Sequence, residues 1–257
     1  MDTRPIGVFD SGLGGLTAVR QLRRVLPGED IVYFGDTGRV PYGSRGRDII
    51  VQYARQDIRF LLQKDVKFYH CRLRHGVLDL SAGGGRQAAR AVYRRCRCHG
   101  PRGGGRDAEP QNRHHRHSGH GAQRVVCRHH SRHDARRADF ARACPMFVPL
   151  VENGYFNDGN PVTKLIIAEY LQELKDAGVD TLILGCTHYP LLKKMIGDFM
   201  GDEVHLVDSG KVTAQAAAAA LDDLGLLNGK KTGGTARYFV SDTPDNFDEL
   251  AHTFLGE

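Results

Sequence analysis

The chain has 257 residues, 40% of them hydrophobic, and 36 basic against 30 acidic side chains give it a net charge of +6. That length suits two domains of about 100 to 150 residues each, and the absence of any apolar run near the ~18 residues of a membrane span excludes a helical membrane protein. Met1-Asp2-Thr3-Arg4 leads directly into an apolar segment with no signal sequence, and only Cys144 and Cys186 lie outside residues 70–140, so a cytoplasmic protein without a disulfide framework is expected.

Residues 5–9 form an apolar strand followed by Asp10-Ser11-Gly12-Leu13-Gly14-Gly15, after which residues 16–26 turn helical. Glycines between a strand and a helix let backbone amides approach an anionic group, and Asp10 adds a carboxylate at the strand's carboxyl end. The pattern lacks both the dinucleotide fingerprint and the Gly-Lys-Ser/Thr of a phosphate loop. A second strand over residues 31–34 ends in Gly35-Asp36-Thr37, and Val40-Pro41-Tyr42-Gly43-Ser44 is a turn with polar groups. Val66-Lys67-Phe68 begins a third strand.

Residues 70–140 differ in kind. They hold 16 Arg, no Lys, 5 acids, 10 of the 13 His and 4 of the 6 Cys, a charge of +11; the remainder, with 20 basic and 25 acidic residues, carries −5. Three readings of the block compete. Composition alone suits a solvated basic loop. A zinc site could be drawn from Cys96, Cys98, His99, Cys127, His129 and His130, but Cys-x-Cys-His and Cys-x-His-His match no common structural zinc spacing. A nucleic-acid arm would use the arginines on phosphates, yet Tyr93 is the block's only aromatic residue before Phe140, so base stacking is nearly absent.

Beyond the block, Thr181-Leu182-Ile183-Leu184-Gly185 reads as a buried parallel strand that stops at Cys186-Thr187-His188-Tyr189. A thiol, a hydroxyl and an imidazole at one sheet edge supply a nucleophile, a capping group and an acid/base. With a helix expected over residues 191–200, Thr187 is placed to cap it, and the helix start would support a thiolate at Cys186. The bland alternative, a structural cysteine beside a surface histidine, is disfavoured by the strand-end position. Next, residues 205–207 run into Asp208-Ser209-Gly210, echoing the first Asp-Ser-Gly, ahead of a helix over 212–221. Repeated strand, polar turn and helix units mean an α/β architecture with sites at the carboxyl ends of strands.

Four segments carry a family resemblance: Gly7-Val8-Phe9-Asp10-Ser11-Gly12-Leu13-Gly14-Gly15; Gly35-Asp36-Thr37 through Pro41-Tyr42-Gly43; Cys144-Pro145 through Pro149-Leu150-Val151-Glu152; and Gly185-Cys186-Thr187-His188-Tyr189-Pro190. In order and spacing they resemble the glutamate racemases of the cofactor-independent aspartate/glutamate racemase superfamily, over roughly residues 1–68 and 142–257. The resemblance implies two similar doubly wound parallel-sheet domains facing across a cleft, here 1–97 plus 208–257 and 98–207, with the middle segment disrupted. It implies interconversion of L- and D-glutamate by two cysteines on opposite faces of the α-carbon, with neither pyridoxal phosphate nor metal, to supply D-glutamate for peptidoglycan. Cys186 maps onto the second cysteine, with His188 and Glu152 as its helpers; Asp10 assists the first; Ser11, Tyr42, Gly43 and Thr187 map onto substrate contacts. A homodimer that binds neither nucleic acid nor membrane is implied as well.

The family's first cysteine sits in Ala-Cys-Asn-Thr or Ala-Cys-Gly-Thr after the third strand. This chain has Tyr69-His70-Cys71-Arg72-Leu73-Arg74-His75 there, and the motif is missing. Codons for Tyr69 to Asp79, read one nucleotide later, permit Ile-Ile-Ala-Ala-Cys-Gly-Thr-Val-Ser-Ser, with the cysteine at the position of Leu73. The same shift over His115 to Cys127 permits Gly-Thr-Ala-Arg-Ser-Gly-Ser-Tyr, similar to a second-domain segment of the family. Family-like sequence resumes by Ala141-Arg142-Ala143-Cys144-Pro145. The block therefore reads as translated out of frame between two compensating shifts, and a chain lacking the first cysteine is expected to be impaired. Cys71 is no substitute, since two residues move a group roughly 6 to 7 Å along a strand, beyond the tolerance of proton transfer. The rival readings are an aspartate or hydantoin racemase, a related one-cysteine enzyme, or a basic nucleic-acid-binding protein.

Overall fold

The computed structural model describes residues 1–42, 45–71, 90–91, 124–129, 138–243 and 247–256. In chain order, the first elements are β1 (Ile6–Asp10), α1 (Leu16–Val25), β2 (Ile31–Gly35), α2 (Arg47–Gln63), β3 (Phe68–Cys71) and β4 (Arg90–Ala91). Then come β5 (Arg124–His129), β6 (Ala138–Ala143), α3 (Phe147–Glu152), α4 (Pro161–Asp176), β7 (Thr181–Leu184) and α5 (Lys193–Met200). The chain continues with β8 (His205–Asp208), α6 (Ser209–Asp223), β9 (Ala236–Val240) and α7 (Phe247–Leu255).

One sheet has the order β4-β3-β1-β2-β9 and is parallel throughout. Winding outward from β1 in both directions makes it the doubly wound sheet that alternating strands and helices predict. Its strands bury both faces by simple alternation. Ile6, Val8, Ile31, Tyr33 and Phe68 point into the core that also receives α1, whereas Phe9, Val32, Phe34 and Tyr69 point the other way, onto Ile50, Ala54, Ile58 and Leu61 of α2.

The second sheet, β6-β5-β7-β8, is mixed: β7 and β8 run parallel, while β5 is antiparallel to both β6 and β7. The expected parallel arrangement thus holds for the β7–β8 pair of this sheet and not for β5 and β6. The physical reason is chain length, since only residues 130–137 separate β5 from β6, and a parallel return needs a crossover of a dozen or more. The first core is continuous with this sheet, joining Leu16 and Leu22 of α1 to Leu182, Leu184, Phe147 and Tyr189.

Two local expectations change. The residues after Cys186 form a 3-10 turn over Tyr189–Leu192, and α5 starts only at Lys193 with Leu192 at its N-cap. Pro190, at the second position of this turn, has no amide hydrogen to leave unpaired there. Thr187 caps nothing, and a helix dipole that fades within a turn is too remote to act on Cys186. The two Asp-Ser-Gly segments also differ. Asp208 is a true N-cap, its Oδ1 accepting from the amides of Gly210 at 2.7 Å and Lys211 at 3.2 Å, so α6 begins at once. Asp10 stands five residues ahead of Gly15, the N-cap of α1, and makes no such cap.

Candidate active site

The turn after β7 is built around His188. Its Nδ1 lies 3.8 Å from Cys186 Sγ and 3.3 Å from Thr187 Oγ1, while Nε2 meets Glu152 Oε1 at 2.9 Å. Glu152 ends α3 and keeps about half its side chain in solvent, whereas the imidazole is nearly enclosed. The ring also stands edge-on to Phe254 of α7, 5.1 Å between centroids at 84°. Burial alone would push the His188 pKa down; hydrogen bonds and charge from Cys186 and Glu152 outweigh it and raise the pKa to about 10. An imidazolium at neutral pH, flanked by a sulfur on one side and a carboxylate on the other, is the consequence.

The first glycine-rich turn packs directly on this one. A β-carbon on Gly14 would overlap the Thr187 hydroxyl and stand 2.6 Å from His188 Cε1. Thr17, in the first turn of α1, places its hydroxyl 2.8 Å from the Gly14 carbonyl and 3.0 Å from the Thr187 carbonyl. Gly15 packs against the Asp10 side chain with no space for a β-carbon, and the Tyr33 hydroxyl donates to the Gly12 carbonyl. Asp10 is buried at the end of β1, and Ser11 is partly exposed just beyond it. The carboxyl ends of three strands are level here, because Phe9 pairs with Cys71 of β3 and Asp10 with Gly35 of β2.

Tyr42 lies in the segment that follows β2. Its side chain is buried and its hydroxyl donates to Asp36, with Asp57 Oδ2 at a longer 3.4 Å. The phenol is therefore occupied within the protein. Gly43 lies outside the described residues, as do Leu73, where the shifted frame places a cysteine, and Cys96, Cys98, His99 and His130 of the zinc set; Cys127 and His129 are described only as members of β5. Among the described residues no group of three or more His, Cys, Asp or Glu is arranged to hold a metal ion, and no helix is long and apolar enough to cross a membrane.

The structure thus brings Cys186, Thr187, His188 and Glu152 together and sets Gly14 and Thr17, which follow Asp10 and Ser11, against them, while the Tyr42 hydroxyl is bound to Asp36 just beyond β2. Sequence reasoning missed Thr17, Phe254, Arg39 and Asp57. Only Asp57 left a trace: an acid among Ile50, Ala54, Ile58 and Leu61, which recur at helical spacing on the buried face of α2.

No family model matches the chain. Curated relatives do. A glutamate racemase of Geobacter metallireducens is 38% identical over an alignment 273 positions long, covering 100% of this chain and 94% of the relative. One of Syntrophus aciditrophicus is 39% identical over 260, covering 99% and 94%. Among solved structures, the glutamate racemase of Thermus thermophilus in complex with beta-chloro-D-alanine aligns at 32% identity and a TM-score of 0.65, covering 100% of this chain and 95% of that one. That of Francisella tularensis in complex with D-glutamate aligns at 25% identity and a TM-score of 0.67, with the same coverage. Identity above a third over the full length, together with the doubly wound sheet, decides the matter: the chain belongs to the glutamate racemase family.

Proposed function

We propose that this chain carries one half of a two-base site for interconverting L- and D-glutamate. The observation that supports it most is the line Cys186–His188–Glu152 at the carboxyl end of β7. In this reading Cys186 takes the α-proton from one face of glutamate as a thiolate, or returns it as a thiol, and the imidazolium of His188 stabilises the thiolate electrostatically. Glu152 holds the His188 ring in position. Ser11, Thr187 and the backbone of Tyr42 and Gly43 hold the two carboxylates while the carbanion forms. Asp10 would serve the cysteine on the opposite face.

In this reading that opposite cysteine belongs at the position of Leu73, two residues past Cys71 in the sequence. Residues 69–140 read as an out-of-frame product, so the second proton donor is missing and racemisation is impaired. Proton transfer between sulfur and carbon involves no redox step and no Schiff base. The D-glutamate made by an intact version of this chain would supply peptidoglycan and so maintain cell shape, in the cytoplasm, with a homodimer as the working form. We divide the chain into 1–97 plus 208–257 and 98–207, one domain on each side of the substrate.

A circular-dichroism assay of L- and D-glutamate, on a sample whose intact mass matches this sequence, tests the reading. A rate at least 10³-fold below that of an intact relative is expected, in keeping with the loss of one acid/base group. A rate equal to the relative's would refute it.

A further inference from the structure

Residues 36–42 hold almost no regular structure. Between the end of β2 and Tyr42 there is one short 3-10 turn, Thr37–Arg39, so side chains must set where the backbone of Tyr42 lies. They converge on Arg39. Its Nε meets Asp36 Oδ2 at 2.6 Å and its Nη2 meets Asp57 Oδ1 at 2.9 Å. The guanidinium also donates to Gln56 and lies over the Tyr53 ring at 4.2 Å. Tyr53, Gln56 and Asp57 stand at positions i, i+3 and i+4 of α2, the spacing that puts three side chains on one helix face. Asp36 accepts in addition from the Tyr42 hydroxyl and, at 2.9 Å, from Ser241 Oγ. The planar fork of Arg39 is thus shared between two carboxylates that are both almost wholly buried.

We propose that Asp57 is a positioning residue for substrate binding: from α2 it fixes Arg39 and, through Arg39 and Asp36, the Tyr42 hydroxyl, and thereby the backbone that meets glutamate. The proposal rests on the reading of Tyr42 as a substrate contact. An occupied phenol leaves the Tyr42 peptide, not its hydroxyl, to face the substrate, so whatever holds the phenol controls that peptide. Asp57 is a poor structural device for its own sake, since burial and the Asp36 charge push its carboxyl up to about 7, against the opposing pull of Arg39 and the Tyr42 hydroxyl. The charged groups facing it are Asp36, just beyond β2, and Arg39 from the turn, with Asp10 of β1 acting at longer range.

The test uses the full chain labelled with ¹⁵N-tyrosine, the Tyr42 amide being assigned by its loss in Tyr42→Phe, and titrated with L- and D-glutamate. In the parent the Tyr42 amide is expected to shift, and affinity to fall about tenfold from pH 8 to pH 6 as Asp57 takes up a proton and releases Arg39. Asp57→Asn should bind about tenfold more weakly at pH 8 with no dependence on pH, and should add less than twofold in the Tyr42→Phe background. Arg39→Lys, which keeps the charge but loses the fork, should weaken binding about fivefold and serves where Asp57→Asn does not fold. If the Tyr42 amide responds but Asp57→Asn or Arg39→Lys binds as the parent does, or if the effects of Asp57→Asn and Tyr42→Phe simply add, the positioning role is overturned. If glutamate binds without moving the Tyr42 amide, or does not bind at all, the substrate-contact reading fails and the proposal falls with it.

Discussion

Gly14 and Thr187, one from the turn after β1 and one from the turn after β7, touch so closely that a β-carbon on Gly14 would overlap the Thr187 hydroxyl. Backbone therefore rests on the very turn that carries Cys186 and His188, and the two sheets are locked at the site. Gly14→Ala must push that turn aside, although the Thr17 hydroxyl, which bonds the carbonyls of both Gly14 and Thr187, ties the two segments together. Overpacking of this kind typically costs about 1 to 3 kcal/mol. Urea denaturation should show a loss of that size, and an unchanged midpoint would contradict the contact.

At the opposite end of the first sheet, Lys67 is buried with Glu29, Nζ to Oε2 at 2.5 Å, and also donates to the Asp2 carbonyl at 2.8 Å. Glu29 accepts as well from the Asn228 amide at 2.8 Å, so the pair ties the chain's first residues and the segment before β9 to β3. Lys67→Ala leaves a buried carboxylate without its cation and should destabilise by about 3 to 5 kcal/mol, whereas replacing both partners by apolar residues should be far milder. Equal losses for the single and double variants in denaturant titrations would contradict this assignment.

The pH dependence of stability should carry the mark of His188. A histidine whose folded pKa is raised to about 10 from 6.5 contributes stability that is full below pH 6.5 and is lost as the pH rises through about 10. The unfolding free energy of the parent minus that of His188→Asn should therefore shrink by about 2 to 5 kcal/mol between pH 6 and pH 10. Glu152→Gln should remove only about 1 kcal/mol or less of this, because Glu152 is half exposed. A difference between parent and His188→Asn that stays constant across the range would mean that the imidazole is not paired as described.

Much of this was legible in the chain itself, and the division between what was and what was not is physical. Apolar runs at residues 5–9, 31–34 and 181–185 announce β1, β2 and β7, and the polar turns that follow them announce the site, because both are local patterns of hydrophobicity and glycine. Partners far apart in sequence leave no such pattern. Nothing around Phe254 says that it will meet the His188 ring edge-on, and nothing around Thr17 says that it will reach Thr187. Thr187 has the chemistry of a cap and Asp208 does too, but only the backbone path decides that Asp208 caps α6 while a 3-10 turn over Tyr189–Leu192 separates Thr187 from α5. The antiparallel entry of β5 and β6 was hidden for a different reason: both carry parts of the arginine- and histidine-rich block, whose composition speaks against any strand.

The central claim, that one acid/base survives at Cys186 while the other was lost with the reading frame, is tested most directly by restoring the frame. Two chains are compared by circular dichroism with L- and D-glutamate: this one, and one whose residues 69–140 are translated from the shifted frame so that Ala-Cys-Gly-Thr spans positions 72–75. The restored chain should racemise glutamate at an enzyme's pace and lose that activity on Cys186→Ala, with this chain slower by about 10³-fold or more. Equal rates in the two chains, or a restored chain indifferent to Cys186→Ala, would contradict the account.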